Sequence, residues 1–213
     1  MKIEFRNVLP IPLSDTPLAK GSMWKKEIVF DTTEFHLAEA ASGTGKTTLL
    51  SIIYGIRKDF EGTVLFDGKN NAELSLSDWA EWRRAKFSFL FQDLRLFSAL
   101  TAKENIMVKN ELTHTLTSVQ VREYAARLGV EQFLDKPCGK LSLGQQQRIA
   151  IVRALAQPFE FLLLDEPFSH LDEENSSRAV ALIKEVCEQN KAGLILTSLG
   201  PDHYFEYKTK III

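Results

Sequence analysis

Phe161-Leu162-Leu163-Leu164-Asp165-Glu166-Pro167 is an unbroken apolar run that ends in two carboxylates and a proline. It is far too short to span a membrane and too continuously apolar for a half-exposed strand. It reads as a strand buried on both faces of a parallel sheet. Pro167 has no N–H to donate, so ladder pairing is expected to stop there. Asp165 and Glu166 then stand at the carboxyl end of a central strand, where open α/β sheets place their ligands. Adjacent acids with no basic neighbour are costly to bury unless a cation or a chemical task holds them. A strand-end turn with solvated acids is the plain alternative. The rest of the chain decides between the two.

Working toward the N-terminus, a strand at Glu34–Ala38 is followed by Ala40-Ala41-Ser42-Gly43-Thr44-Gly45-Lys46-Thr47-Thr48 and then the apolar run Leu49–Tyr54. Strand, small-residue loop and helix in this order match the phosphate-binding pattern G-x-x-x-x-G-K-[ST], except that Ala40 replaces the first glycine. The chemistry needs small residues so that backbone N–H groups can wrap phosphates, and the helix N-terminus adds partial positive charge. Ala41, Ser42, Gly43, Thr44, Gly45 and Thr48 supply that wrap. Lys46 is placed to reach the β- and γ-phosphates, and the Thr47 hydroxyl to ligate Mg²⁺.

Two further stretches bear on a ligand. Phe87–Phe91 reads as another buried strand, followed at once by Gln92. Downstream, Gly139-Lys140-Leu141-Ser142-Leu143-Gly144-Gln145-Gln146-Gln147-Arg148 precedes Ile149, Val152 and Leu155 at helical spacing. Ser142 is the expected N-cap and Gly144 allows close backbone approach, so this is a second helix start suited to an anion.

The remainder fills in an α/β fold. Strands are expected at Lys2–Phe5, Glu27–Phe30, Glu61–Phe66, Leu194–Thr197 and Lys208–Ile213, with a proline-containing loop over Leu9–Lys20. A short helix over Ser77–Lys86 is expected with Ser77 as N-cap and Trp79 and Trp82 on one side. A long helix over Glu173–Lys191 buries Cys187 on its apolar face, after a turn at Ser169–Asp172. Residues 93–135 carry helical patterns and little strand signal, which predicts a helical lobe, roughly 93–158, inserted into a single domain of residues 1–213. Net charge is −2, so the chain has no general pull toward nucleic acid or anionic lipid. Cys138 and Cys187 are isolated, with no spacing that suggests a disulfide framework or zinc site. No signal peptide or membrane-length apolar run is read, and a reducing compartment is expected.

Together these pieces resemble the nucleotide-binding subunit of ATP-binding-cassette transporters. Ala40–Thr47 looks like Walker A, Gln92 like the Q-loop glutamine, and Leu141-Ser142-Leu143-Gly144-Gln145 like the signature LSGGQ with Leu143 for the first glycine. Leu162–Glu166 looks like Walker B with its following glutamate, and Ser169–Asp172 like the D-loop. Phe91–Phe97, with Leu100, Thr101 and Glu104–Ile106, is similar to the lipoprotein-releasing and macrolide-export group. Two departures stand out. The family's γ-phosphate histidine falls at Ser198 or Leu199, with His203 slightly downstream. No aromatic residue in Leu9–Lys20 is available to stack on adenine, and Trp24 belongs with the next strand.

The resemblance implies a P-loop NTPase core with a mostly parallel sheet, an N-terminal antiparallel β portion and the helical lobe. It implies ATP hydrolysis, with Glu166 as general base, Lys46 and Gln92 as catalytic partners, and Thr47, Gln92 and Asp165 around Mg²⁺. Ser142, Gly144 and Gln145 would meet the ATP held by a second copy or a related subunit. The expected partners are transmembrane permease subunits at the inner face of the cell membrane, with no nucleic acid. An ATP-gated dimerising clamp that hydrolyses poorly, or a cassette protein acting away from membranes, are the competing readings.

Overall fold

The computed structural model describes residues 1–39, 45–200 and 204–213. Two sheets share the chain. The first is antiparallel, in the order β2 (Glu27–Asp31), β1 (Lys2–Pro10), β4 (Phe60–Phe66), β5 (Lys69–Asn70). The second is parallel, in the order β6 (Phe87–Leu90), β7 (Phe161–Asp165), β8 (Gly193–Ser198), β3 (Phe35–Glu39), β9 (Thr209–Ile212). The mostly parallel core with an N-terminal antiparallel portion is as expected.

The continuous apolar run has a direct explanation in β7. Successive strand residues face opposite sides. Leu162 and Leu164 enter the core shared with the later helices, while Phe161 and Leu163 enter the core shared with α1 (Lys46–Ile53). Neighbouring β8 divides the same way, Leu194 and Leu196 to one side and Ile195 to the other. Pairing ends with Asp165 opposite Thr197, one residue before Glu166 and two before Pro167.

Several boundaries differ from expectation. The first strand runs on to Pro10, because a bulge between Arg6 and Leu9, with Asn7 at φ 52°, restores pairing to β4. Only Ile11–Leu13 then forms a short 3₁₀ turn. The helix expected from Ser77 is α2 (Leu76–Ala85), and its cap is Ser75. Ser75 Oγ accepts from Asp78 N–H at 3.1 Å and the Asp78 carboxylate accepts from Ser75 N–H at 2.8 Å, a reciprocal pair that Ser77, with Ala80 three residues on, could not make. The strand before Gln92 stops at Leu90, so Phe91 lies between.

Between β6 and β7 lie α3 (Ala102–Asn110), α4 (Ser118–Arg127) and α5 (Leu143–Leu155). Thr101, Thr117 and Ser142 each close a capping box, with Glu104, Gln120 and Gln145. After β7 comes α6 (Glu173–Asn190). Both cysteines are buried free thiols, Cys187 on α6 and Cys138 ahead of α5. Burial pushes the Cys187 thiol up to about 12. No helix among the described residues is long and apolar enough to cross a membrane.

Candidate functional site

The ends of β6 and β7 and the start of α1 converge on one cavity of about 370 Å³. Its walls are Gly45, Lys46, Thr47 and Thr48 from α1 and its cap, Gln92 beyond β6, Glu166 beyond β7, and Pro12, Leu13 and Thr16 from the N-terminal turn. Ala41, Ser42, Gly43 and Thr44 lie outside the described residues, as does Ala40. Gly45 caps α1 at φ 111°, and a Cβ there would meet Leu13 at 3.0 Å and the Trp24 ring at 3.2 Å. Only glycine fits that backbone and that space. Trp24 itself is buried beneath the turn, so it offers no exposed ring to the cavity.

Lys46, Glu166, Thr47 and Asp165 form the chemical centre. Lys46 Nζ stands 3.3 Å from Glu166 Oε1, both side chains under one-tenth exposed. Thr47 Oγ1 donates to Asp165 Oδ2 at 2.6 Å, joining the helix start to the strand end. Thr197 Oγ1, from β8, donates to Asp165 Oδ1 at 2.7 Å. Burial raises the Asp165 carboxyl above the usual carboxylate range, despite the two hydroxyls and nearby Lys46, and the adjacent Glu166 charge adds to the rise. A desolvated acid of this kind, with a hydroxyl beside it, is suited to a hard divalent cation. Thr47 and the exposed Gln92 on the cavity wall, with Asp165 bonded to Thr47 behind it, fit such an ion.

Glu166 has left-handed backbone, φ 48°. That conformation is costly for a residue with a Cβ and persists only where its surroundings fix it. Its N–H donates to the Thr197 carbonyl at 3.2 Å. Its carbonyl accepts from Gln147 Nε2 at 3.2 Å and from Ser169 Oγ at 3.1 Å. Glu166 also borders a second cavity of about 220 Å³, with Ser169, Thr197, Ser198, Leu199 and Tyr204 among its walls. Ser198 and Leu199, which share this cavity with Glu166, carry a hydroxyl and an isobutyl group. His203 lies outside the described residues.

Ser142, Gly144 and Gln145 do not reach the Lys46 cavity within one chain. Ser142 caps α5 by accepting from Gln145 N–H, and Gln145 Oε1 accepts from Ser142 N–H at 3.0 Å. A Cβ on Gly144 would come within 2.9 Å of the His170 carbonyl, so glycine lets α5 begin against the turn after Glu166. Leu143 is half exposed at that helix start.

Sequence reasoning missed Pro12, Leu13, Thr16, Thr197 and Gln147. Thr197 is masked by the apolar run around it, although a lone hydroxyl in a buried strand marks a polar partner. Pro12, Leu13 and Thr16 carry no chemical signature. The apolar residues that follow Gln92 divide: Leu94 is buried, whereas Phe97 is 55% exposed.

Comparison with known proteins gives the family of the chain. The family model described as ABC transporter matches residues 41–169. ABC transporter ATP-binding protein YxdL of Bacillus subtilis (strain 168) is 34% identical over 181 residues, covering 83% of this chain and 70% of YxdL. Macrolide export ATP-binding/permease protein MacB of Photorhabdus laumondii is 35% identical over 160 residues, covering 74% of this chain and 25% of MacB. The chain thus spans about a quarter of that larger protein. The dimeric structure of MJ0796, a bacterial ABC transporter cassette, superposes with a TM-score of 0.78 at 27% identity, covering 93% of this chain and 88% of that one. The chain belongs to the ABC transporter family, as an ATP-binding cassette.

Proposed function

We propose that two copies of this chain, or one copy and a related cassette, hydrolyse ATP between them to drive separate transmembrane permease subunits. The observation that carries this reading is the buried Lys46–Glu166 pair beside the Thr47–Asp165 pair, at the mouth of one cavity. Lys46, with the loop amides, binds the phosphates. Thr47, Gln92 and Asp165 would hold a Mg²⁺ ion arriving with the nucleotide, and the ion would supply charge neutralisation for the phosphates.

Phosphoryl transfer to water is mostly positioning and charge stabilisation. Without nucleotide, Glu166 is engaged by Lys46. A γ-phosphate draws Lys46 away and leaves the Glu166 carboxylate to accept a proton from the attacking water. Ser142, exposed at the α5 start, and the half-buried Gly144 and Gln145 complete the site on the partner copy's ATP. MJ0796 is described as a dimer, and a head-to-tail pair accounts for a signature helix that cannot reach its own cavity. MacB carries ATP-binding and permease functions under one name, which supports a permease as the partner that this cassette drives.

Glu166→Gln tests the reading. Turnover should fall at least roughly 100-fold, since general-base catalysis contributes about 10²–10⁴. The variant should run as a dimer in MgATP and a monomer in MgADP by light scattering on a sizing column, because ATP binding favours the dimer by mass action. Lys46→Ala should lose tight MgATP binding by calorimetry. A Glu166→Gln protein with wild-type turnover defeats the assignment.

A second reading has its own observation. Ser198 and Leu199, beside Glu166, lack an imidazole. A clamp that hydrolyses poorly should turn over roughly tenfold below the common enzyme value of about 10 s⁻¹.

A further inference from the structure

We infer that Gln147 is a positioning residue for hydrolysis: it ties the signature helix to the backbone of Glu166 and so aims the general base. The proposal rests on Glu166 acting as that base. Gln147 sits on the second turn of α5 and is 1% exposed, in a helix whose other polar residues nearby face solvent or partial solvent. Its amide bridges two backbone groups that flank the turn after β7. Nε2 donates to the Glu166 carbonyl at 3.2 Å, and Oε1 accepts from His170 N–H at 3.0 Å. One side chain therefore spans the whole turn from Glu166 to His170.

The bridge matters because of where Glu166 stands. Its left-handed φ of 48° turns the side chain off the line of β7 toward Lys46. β8 fixes the amide side of that residue through Thr197. The carbonyl side is fixed by Ser169, which belongs to the same turn, and by Gln147, the amide that comes from a different element. Without the Gln147 bridge the turn stays folded, held by Thr197 and Ser169, but the carbonyl side of Glu166 is uncoupled from α5 and the carboxylate shifts off its aim. The α5 N-terminus, with Ser142 and Gly144, is on the same helix one turn away. A shift of α5 when the partner's ATP engages it is thereby transmitted to the base by a pair of hydrogen bonds. Displacement of a catalytic group by about 1 Å can cost roughly 100-fold in rate.

The test uses the full chain and measures kcat, MgATP affinity by calorimetry and thermal stability together. Gln147→Met keeps volume and removes both bonds. Its kcat should fall roughly 10- to 100-fold while MgATP affinity stays within about twofold of wild type. Gln147→Glu is the gentler variant. Burial favours its neutral form, and a protonated carboxyl restores both the donor and the acceptor. Its kcat, relative to wild type at the same pH, should therefore rise as pH is lowered, and that of Gln147→Met should not. In single turnovers, adding Gln147→Met to Glu166→Gln should cost little more, because both changes act on one step.

An unchanged kcat in Gln147→Met overturns the proposal. So does a loss that is equally large in the Glu166→Gln background, which would place the effect elsewhere, or a parallel loss of MgATP affinity, which would mark a structural role. If Gln147→Met does not fold, the pH response of Gln147→Glu decides: a ratio to wild type that is flat with pH overturns it. Wild-type turnover in Glu166→Gln alone would instead refute the general-base reading, and the Gln147 proposal with it.

Discussion

Glu166 and the Leu94–Arg95 pair both hold left-handed backbone without glycine, at φ 48°, 56° and 47°. They follow the ends of two paired neighbours, β7 and β6. Their supports differ. Glu166 is gripped by β8, by α5 and by its own turn. Leu94 and Arg95 are tied within their own segment, N–H to the Phe91 and Asp93 carbonyls, and to another element by the side chain of Arg153 of α5, which donates to both of their carbonyls. Arg153 is 8% exposed and its described contacts include no carboxylate. Arg95 lies over the Phe91 ring at 3.7 Å, and Asn105 fixes the chain just beyond by accepting from Phe97 N–H at 2.8 Å. Redundant anchoring gives a fixed geometry, as a general base requires. A single side-chain anchor from another element gives a segment that one event can release from α5.

The largest effect should come from the single anchor. Arg153→Met leaves two carbonyls without their donor, and each such group costs about 1–3 kcal/mol, so stability should fall by about 3 kcal/mol in urea denaturation. A loss below about 1 kcal/mol would mean that water replaces Arg153 at both carbonyls. At the redundant corner, Thr197→Val should cost less, about 1.5 kcal/mol, because Thr47 still serves Asp165 and Gln147 still serves Glu166. Equal losses would erase the contrast.

Acidity separates the corners further. Burial holds the Asp165 carboxyl above its unfolded value, so its stabilising contribution is complete at acid pH and lost as pH rises through the folded value. Asp165→Asn should thus be more stable than wild type near neutral pH without nucleotide, and the advantage should vanish as pH drops to the ordinary carboxylate range. Arg153 keeps its proton throughout, so the Arg153→Met loss should not vary over that range. The smallest stability effect belongs to Phe97→Asp. Its ring is half exposed, so the change should stay within about 0.5 kcal/mol. Permease capture should nevertheless weaken in a pull-down, with MgATP binding intact.

How far the sequence was legible follows the same division. β7 was readable because a strand buried on both faces has no polar alternation to obscure it. The Ser142 box was readable because serine and glutamine three residues apart make a local signal. Ser75 was misread because Ser77 also offers a hydroxyl, and only the Asp78 partner distinguishes them. Gln147 and Arg153 were invisible as functional residues. Both act on backbone atoms from distant segments, and a polar side chain on a helix looks solvated until its neighbours are known. The N-terminal turn at Pro12 and Leu13 was hidden for a related reason: shape, not chemistry, places it against Gly45.

Cys138 and Cys187 are the only thiols in the chain, and both are sealed in the interior. Thiol reagents attack the thiolate, and burial keeps these groups protonated. The native protein is therefore a silent background for maleimide chemistry. A single cysteine engineered on the solvent face of α6 could carry a dye or spin label without removing either native residue. Two such copies would report their separation directly, giving a molecular ruler for how the pair opens and closes through a catalytic cycle.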